Sequence, residues 1–271
     1  MKKKPLLSVI VANYNNAVYI KECFDSILKQ SFKDLEIVLF DDCSTDDSPG
    51  IIKEYEKKHP AVVRAVFSRK NIGVAAARHE AIRQAQGEYI TTLDSDDYYY
   101  DQQKLAKEME VISRCKKNEN KDVIAFSNIV MVKGDGTVMR FLGTPKNIKE
   151  GNILAGIITR SCMIPRDFVQ KKDAYFAIGG YDSRFPIYED WDLKLRLAAK
   201  YEYYYTGING TCYRRHGAGL SSWPVPQHIK WMKKIFKKNL PLIDRSVRKE
   251  AKTEFKVFLN KIKDNYKKKK K

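Results

Sequence analysis

The apolar run Tyr89-Ile90-Thr91-Thr92-Leu93 leads directly into the polar run Asp94-Ser95-Asp96-Asp97. The first run has the length and the β-branched and aromatic side chains of a buried strand. In open α/β sheets ligands bind beyond the carboxyl ends of the strands, so the acidic run is expected on a ligand-binding rim. Two carboxylates at this spacing repel unless a cation separates them, and Mg2+ or Mn2+ bridging a diphosphate is the natural occupant. The alternative is a polar loop in which Asp101 caps the next helix.

Strand-like and helix-like patterns alternate on both sides of this strand, which predicts α/β layering with a largely parallel sheet. The predicted strands are 7–12, 35–40, 62–68 and 89–93, and the predicted helices are 18–30, 48–58, 74–85 and 102–115. Ser48 before Pro49 resembles an N-cap followed by a first-turn proline. The second half is predicted to be mixed, with strands at 123–131 and 201–205, a hairpin turn at 133–136 and a helix at 191–200.

Two other segments carry side chains suited to a nucleotide. Asp41 and Asp42 end the second predicted strand. Residues 46–48 are enough to cap the next helix, so this acidic pair is free to accept hydrogen bonds from a base or ribose, and capping is the alternative. Gly73 precedes a predicted helix and Arg78 lies one turn into it. That arrangement suits a phosphate or nucleotide, and a tight turn with a surface arginine is the alternative.

Adjacent acids lie beside aromatic residues at 188–192, Tyr-Glu-Asp-Trp-Asp. Partial desolvation there is expected to raise the pKa of a carboxylate and to favour a role as a base. The alternative is a helix N-cap with a buried tryptophan behind it. Residues 213–216, Tyr-Arg-Arg-His, end an apparent strand. His216 is a candidate metal ligand or diphosphate-binding residue, and a structural histidine is the alternative.

The net charge of +18 is concentrated at the C-terminal end. Residues 224–271 contain 17 Lys and Arg against 4 Asp and Glu, a net of +13, which leaves +5 for residues 1–223. Apolar positions within 229–236 and 255–262 predict two amphipathic helices on this basic background. These helices either lie on an anionic membrane or pack back on the domain with solvated lysines.

Composition and cysteine spacing narrow the class of protein. With 271 residues, 43% apolar and 31% charged, the chain is expected to form one main globular domain. Its five scattered cysteines lack the spacing of a zinc or redox site and fit a reducing cytoplasm. The run at 6–12 lacks a following cleavage site, and no stretch approaches the roughly 20 apolar residues of a membrane span. We therefore expect a cytoplasmic protein whose membrane contact, if any, is at the inner surface.

Five segments in order resemble glycosyltransferase family 2 across residues 6–220. They are 8–15, 41–46, 71–73 with Arg78, 93–97 and Glu189-Asp190-Trp191, and residues 179–182 are similar to the family's short turn before the last segment. The resemblance implies an α/β fold of GT-A type, with a single Rossmann-like mixed sheet flanked by helices and with C-terminal amphipathic helices. The expected parts are a GT-A domain at 1–223, with a nucleotide-sugar half at 1–100 and an acceptor half at 101–223, and a basic helical extension at 224–271.

The resemblance also implies roles for individual residues. The expected nucleotide-sugar-binding residues are Ala12, Asn13, Tyr14, Asp41, Asp42, Asn71, Gly73, Arg78, Asp94 and Ser95. Asp96, with Asp94 and His216, is expected to hold Mn2+ or Mg2+, while Asp97 is an additional acid. Asp190 is the expected general base, with Glu189 beside it. The implied reaction is an inverting displacement in which Asp190 takes a proton from an acceptor hydroxyl while the metal stabilises the leaving diphosphate.

The donor and the acceptor follow from the resemblance alone. A UDP-sugar is expected because UDP is the commonest carrier in the family, and the expected acceptor is a glycan or lipid-linked glycan of a bacterial surface polysaccharide. A nucleotidyltransferase is the strongest rival enzyme, although residues 13–16, Asn-Tyr-Asn-Asn, are no glycine-rich phosphate loop. An inactive glycosyltransferase-like scaffold and a basic nucleic-acid-binding protein are two further hypotheses. No nucleic-acid partner is expected, since the core is only mildly basic and shows no recognition motif.

Overall fold

The first half of the chain alternates strands and helices in the computed structural model, which describes residues 4–142, 148–216 and 222–270. In chain order these elements are β1 (Leu7–Asn13), α1 (Ile20–Leu28), β2 (Leu35–Asp41), α2 (Ser48–Lys58), β3 (Val63–Phe67), α3 (Val74–Gln84), β4 (Tyr89–Asp94), β5 (Tyr98–Tyr99) and α4 (Lys104–Glu119). The four predicted strands and four predicted helices of this half are confirmed, with ends that differ by a few residues.

The second half mixes shorter elements with one long strand. They are β6 (Ile124–Lys133), β7 (Val138–Leu142), α5 (Leu154–Thr159), β8 (Gln170–Lys171), α6 (Lys172–Ala177), α7 (Glu189–Ala198), β9 (Tyr203–Arg215), α8 (Val225–Asn239) and α9 (Arg248–Lys270). The predicted hairpin turn is confirmed between β6 and β7. The strand predicted at 201–205 extends much further than expected. The glycines at 207 and 210 indicate a strand end, but pairing with β6 continues past them.

The first sheet places the carboxyl ends of three strands side by side. Its order is β3, β2, β1, β4, β8, with the first four strands parallel and β8 antiparallel. The register pairs Asn13 of β1 with Asp41 of β2, and Ala12 of β1 with Asp94 of β4. The two acidic segments therefore lie on one rim, as the strand order of an open α/β sheet requires.

The remaining strands form a second sheet in the order β5, β9, β6, β7. The α/β fold with mixed sheets flanked by helices is confirmed, but there are two sheets where a single one is predicted. A bridge between Ala125 of β6 and Val169 connects them, with N–O distances of 2.8 and 3.0 Å. Because β8 has only two residues, the ladder across this junction stays too short to merge the sheets.

Both faces of the first sheet are buried, because alternate side chains of each strand point to opposite faces. Val9 and Val11 of β1 lie in a core with Phe24 of α1. Ile10, between them, lies in the other core with Trp191 of α7. The strand is thus covered by helices on both sides, which explains its continuous apolar run.

The C-terminal helices pack on the domain, which is one of the two arrangements that the sequence leaves open. Their buried residues, with Ile243 from the connection between them, share a core with Trp191 and are Met232, Ile235, Phe236, Ala251, Phe255 and Leu259. The rings of Phe236 and Phe255 stack with centroids 4.1 Å apart. Within the described ranges, none of the helices combines the length and apolar character that crossing a bilayer requires.

One predicted cap is wrong. Ser48 is the first residue of α2, and Asp47 precedes it at the N-cap position. Asp46 supplies the capping oxygen, since its Oδ1 accepts a hydrogen bond from the Ser48 backbone N–H at 3.0 Å. The acidic residue two positions earlier therefore takes the role assigned to the serine.

Candidate active site

A cleft of about 1130 Å3 opens at the carboxyl ends of β1, β2 and β4. It lies between the rim of the first sheet and the beginning of α7, and residues of α8 and α9 also line it. The predicted site residues that line it are Ala12, Asn13, Tyr14, Asp42, Asn71, Gly73, Arg78, Asp94, Ser95, Asp96, Glu189, Asp190 and His216. Asp41 is the one predicted residue outside this lining.

Asp41 and Asp42, at the end of β2, have different surroundings. Asp41 is buried and accepts a hydrogen bond from the Asn13 side-chain amide at 2.8 Å, which fixes the two strand ends together. Asp42 faces the cleft, and its carboxylate accepts the backbone N–H groups of Ile72 at 2.7 Å and Gly73 at 2.8 Å. Asp42 thereby holds the loop before α3 against the rim.

The loop before α3 brings a buried cation into the cleft. Gly73 has φ +84°, a conformation that favours glycine, and α3 begins at the next residue. Arg78, one turn later, is 2% exposed and pairs with both Asp94 and Glu189. Its guanidinium joins the end of β4 to the beginning of α7. That Arg78 reaches a nucleotide phosphate stays a prediction.

The acidic run after β4 forms a cluster. Ligand oxygens of Asp94, Asp96 and Asp97 lie within 4.8 Å of one another. Carboxylate oxygens are the ligands that Mg2+ and Mn2+ prefer, so the cluster fits the metal predicted at Asp96 and Asp94. His216 adjoins it through a 2.8 Å contact between its Nε2 and Asp96 Oδ2.

Two arginines surround this cluster, and Arg166 is not predicted from the sequence. Its guanidinium lies 2.7 Å from Asp94 Oδ2 and 2.9 Å from Asp97 Oδ2. The backbone N–H of Arg214 donates to Asp97 Oδ1 at 2.8 Å. Burial alone would raise the pKa of Asp94, but the nearby arginines, Arg166 first, outweigh it and hold that pKa below its ordinary value. Burial, followed by the charge of Asp96, raises the pKa of Asp97.

The first turn of α7 contains the predicted base. Asp190 Oδ2 accepts a hydrogen bond from Lys194 Nζ at 2.7 Å, and the same Nζ donates to the Ile164 carbonyl at 2.8 Å. Burial alone would raise the pKa of Asp190, but Lys194 outweighs it and lowers that pKa. The predicted raised pKa is therefore wrong for Asp190 and holds for Glu189, where burial dominates. Asp190 is ionised at neutral pH, as a proton acceptor must be.

Lys194 and Arg166 were not predicted as site residues, and only the position of Lys194 could have been inferred from the sequence. Lys194 follows Asp190 by four residues on a predicted helix, a spacing that brings the two side chains together. Arg166 lies between α5 and β8, outside any regular element. Only the folded chain brings it to the acidic cluster, so no local pattern marks it.

Comparisons with known proteins identify the family and the fold. A family model described as glycosyl transferase family 2 matches residues 8–180. The chain is 35% identical over 156 residues to TuaG of Bacillus subtilis, which is named for teichuronic acid biosynthesis, and 30% identical over 234 residues to chondroitin synthase of Escherichia coli. These matches cover 57% and 82% of this chain. The chain spans 59% and 30% of the two relatives, less than two thirds of either.

Solved structures share the fold. S. aureus TarS 1–349 in complex with UDP-GlcNAc matches with a TM-score of 0.69 at 18% identity, over 93% of this chain and 71% of that one. The mannosyltransferase PcManGT from Pyrobaculum calidifontis, in complex with GDP-Man and Mn2+, matches with a TM-score of 0.64 at 18% identity, over 85% of this chain and 64% of that one. The family model covers most of the chain, and the GT-A-type architecture agrees with it. The chain therefore belongs to glycosyltransferase family 2.

Proposed function

We propose that the chain transfers a sugar from a nucleotide-sugar donor to a hydroxyl group of a glycan or lipid-linked glycan, with inversion at the anomeric carbon. The observation that carries this proposal is the presence of the acidic cluster and Asp190 in one cleft. Asp190 is close enough to Asp94 for its charge to oppose ionisation of that residue. A donor bound at the cluster would therefore present its anomeric carbon near a base.

The donor side of the cleft is the rim of the first sheet. Asn13, Asp42 and Asn71 offer amide and carboxylate groups to a base and ribose, and Tyr14 has an exposed ring that can stack on a base. A UDP-sugar is the proposed donor, because TarS is solved with UDP-GlcNAc and shares the fold. PcManGT, solved with GDP-Man, makes GDP-sugars the second choice for the test.

Asp96 and Asp94 are proposed to hold Mn2+ or Mg2+, and PcManGT with Mn2+ supports this choice. His216 contacts Asp96 and so orients its carboxylate. The metal supplies positive charge that stabilises the leaving diphosphate. Asp97 is held by Arg166 and the Arg214 backbone, and Asp94 by Arg78 and Arg166, so Asp96 is the carboxylate of the cluster that no arginine side chain engages.

Asp190 is proposed to remove the proton from the acceptor hydroxyl. Lys194 keeps its carboxylate ionised and fixes one oxygen, which leaves the other oxygen for the acceptor. The Arg78 link to Glu189 and Asp94 sets the position of α7 relative to β4. Attack from the side opposite the leaving group inverts the anomeric configuration.

The acceptor and the cellular place are proposed more broadly. TuaG and chondroitin synthase are named for polysaccharides, which supports a role in bacterial surface-polysaccharide assembly. The cytoplasmic side is proposed from the sequence alone. Because the apolar faces of α8 and α9 are buried, any membrane contact must use the charged face. The exposed lysines of α8 suited to an anionic surface are Lys230, Lys233, Lys234 and Lys237.

The test is nucleotide release from a panel of UDP-, GDP- and dTDP-sugars with Mn2+, using wild-type protein, Asp190→Asn and Asp96→Ala. We expect metal-dependent release from one donor, reduced at least about 100-fold in both variants. Asp135→Asn, in the exposed turn between β6 and β7, is the matched control and should release at the wild-type rate. No release, together with no calorimetric binding of any donor, would contradict the proposal and favour an inactive scaffold. Salt-sensitive binding to RNA or DNA in its place would favour a nucleic-acid-binding protein.

A further inference from the structure

Arg160 lies at the end of α5 and lines the cleft beside the predicted base. Its guanidinium carbon is 5.0 Å from the centroid of the Trp191 ring and 5.9 Å from those of Tyr188 and Phe258. Three rings from two different helices and the turn before α7 therefore hold this cation in place. Aromatic faces attract a cation but leave its N–H groups without acceptors.

No carboxylate of the described residues pairs with Arg160. Among the buried and half-buried lysines and arginines that line the cleft in that part of the chain, it alone has no carboxylate oxygen within 4.0 Å. Its Nε is buried and has no hydrogen-bond partner among the residues that the structure describes. A buried donor without an acceptor is costly, so such a group usually meets its acceptor in a ligand.

Asp190 does not supply the missing partner. Its charge acts on Arg160 electrostatically, but its carboxylate is paired with Lys194 at 2.7 Å. Two cations therefore face one carboxylate on this side of the cleft. One positive charge remains for a bound anion.

The position of this charge separates it from the donor side. Arg160 contacts α7, α9 and the turn before α7, and none of its aromatic neighbours belongs to the rim of the first sheet. His228 and Met232 of α8 and Ile262 of α9 also line the cleft, and His228 contacts the Tyr188 hydroxyl at 3.0 Å. The C-terminal helices thus enclose a region of the cleft next to the base, where an acceptor must lie.

We propose that Arg160 and the rings of Tyr188, Trp191 and Phe258 form an anion subsite that binds a carboxylate or phosphate group of the acceptor. The inference rests on the proposed function, since it names the acceptor class of the same cleft. An acidic acceptor would place its oxyanion on the Arg160 N–H groups and its hydroxyl toward Asp190. Charge-assisted hydrogen bonds of this kind also orient the acceptor for attack.

The test is binding of small charged and neutral probes, measured by titration calorimetry or ligand-observed NMR at fixed ionic strength. Methyl glucuronide is compared with methyl glucoside for a carboxylate, and glycerol 3-phosphate with glycerol for a phosphate. We expect wild-type protein to prefer one charged probe over its neutral partner by about tenfold or more, as for a hydrogen bond to a charged group. The charged probe that is preferred identifies the oxyanion of the acceptor.

Three variants separate the subsite from general electrostatics. Arg160→Gln should lose the preference, whereas Arg160→Lys should keep part of it because the charge remains. Lys57→Gln, an exposed position on α2 outside the cleft lining, should keep all of it. Thermal unfolding of each variant checks that the fold is intact, and if Arg160→Gln does not fold, Arg160→Lys and wild-type protein still decide the question by their preference ratios.

An equal affinity of wild-type protein for charged and neutral probes would overturn the subsite, as would an unchanged preference in Arg160→Gln. Donor release is measured in parallel with the wild-type protein. Release without an anion preference contradicts the subsite and leaves the transferase proposal standing. An Arg160-dependent preference without release from any donor and without calorimetric binding of any donor contradicts the transferase proposal and leaves the anion site standing.

Discussion

Single side chains in the cleft control one another's charge. Arg78 neutralises Asp94 and Glu189, and Lys194 neutralises Asp190. These pairs are largely buried, so removal of one partner leaves an uncompensated charge in a poorly solvated place. A substitution here therefore changes the protonation of its neighbour as well as its own contact.

Lys194→Gln should move the acid limb of the kcat/KM profile to higher pH. Glutamine can still donate a hydrogen bond to Asp190, but it lacks the charge that keeps the pKa of Asp190 below its ordinary value. Loss of that charge raises this pKa, so Asp190 becomes protonated at a pH where the wild-type residue is ionised. The measurement is kcat/KM for the identified donor from pH 4 to pH 9.

Lys200→Gln is the control, because this exposed lysine follows the same helix and does not contact Asp190. An acid limb that stays in place in Lys194→Gln would show that another group controls it. A shift of the same size in Lys200→Gln would point to a general charge effect.

At the scale of elements, α4 is joined to the second sheet by a buried polar cluster. Lys104 Nζ donates to both carboxylate oxygens of Glu108, at 2.9 and 2.7 Å, and lies 3.5 Å from Asp167 Oδ2. Ser127 of β6 donates to Glu108 at 2.8 Å. One lysine thus faces two buried carboxylates, and burial raises the pKa of Glu108 to about 7.

This pKa makes stability depend on pH. The folded-state pKa of Glu108 lies above the ordinary value of 4.5, so the folded protein holds this proton more tightly than the unfolded chain. Its contribution is fully present below about pH 4.5 and is lost as pH rises through about 7. The free energy of unfolding of the wild-type protein should therefore fall between pH 5 and pH 8. Glu108→Gln should reduce this fall by up to about 3 kcal/mol.

Urea unfolding of wild-type and variant protein across this pH range measures the effect. Glu110→Gln, an exposed position on the same helix, is the control and should follow the wild-type slope. If the free energy of unfolding of Glu108→Gln falls with pH as steeply as that of the wild-type protein, Glu108 is not the group that binds the proton.

The connection from α3 to β4 is tightly packed against β1. A Cβ atom at Gly87 would lie 2.7 Å from the Ser8 backbone nitrogen and 2.9 Å from the Leu7 carbonyl carbon. Gly87→Ala should therefore lower the free energy of unfolding by about 1–3 kcal/mol. Gly50→Ala in α2 meets nothing within 4 Å and should raise it by about 0.5 kcal/mol through helix propensity. Equal effects of the two substitutions in urea unfolding would contradict the close contact at Gly87.

At the scale of the whole molecule, the basic C-terminal segment is part of the domain core. The Phe255 ring of α9 packs on the Phe236 ring of α8, and its centroid lies 6.0 Å from the centroid of the Trp191 ring of α7. The lysines are left on the outer face, which separates the apolar and charged sides of each helix. Helix α7, which carries Asp190, is thus supported by the most basic part of the chain.

Phe255→Ala should lower the free energy of unfolding by about 3–5 kcal/mol, because it removes a buried ring from the core next to α7. Val257→Ala, two residues along the same helix and 48% exposed, should change it by less than about 0.5 kcal/mol. Urea unfolding monitored by tryptophan fluorescence measures both. A small effect of Phe255→Ala would show that α9 contributes little to the core.

The rim of the first sheet was predictable, and the part of the cleft around Arg160 and Arg166 was not. Each strand of the first sheet has its own apolar run, and each relevant acid directly follows such a run, so strand order alone brings Asp42 and Asp94 together. The apolar stripes of α8 and α9 predict helices. They do not tell whether the apolar face is buried in a membrane or in the protein core. Arg160 and Arg166 reach the cleft through tertiary contacts between distant segments, which leave no periodic signal in the chain.

The parallel pairing of β6 with β9 sets the order in which the protein can assemble. It joins Ile124 to Tyr203, and α7 lies inside the loop that this pairing closes. Closing so long a loop is slower than forming the neighbouring strands and helices of the first sheet. If the proposed function holds, we therefore expect a refolding chain to recover nucleotide binding before sugar transfer, because α7, which carries Asp190, is fixed in place only after β9 pairs with β6.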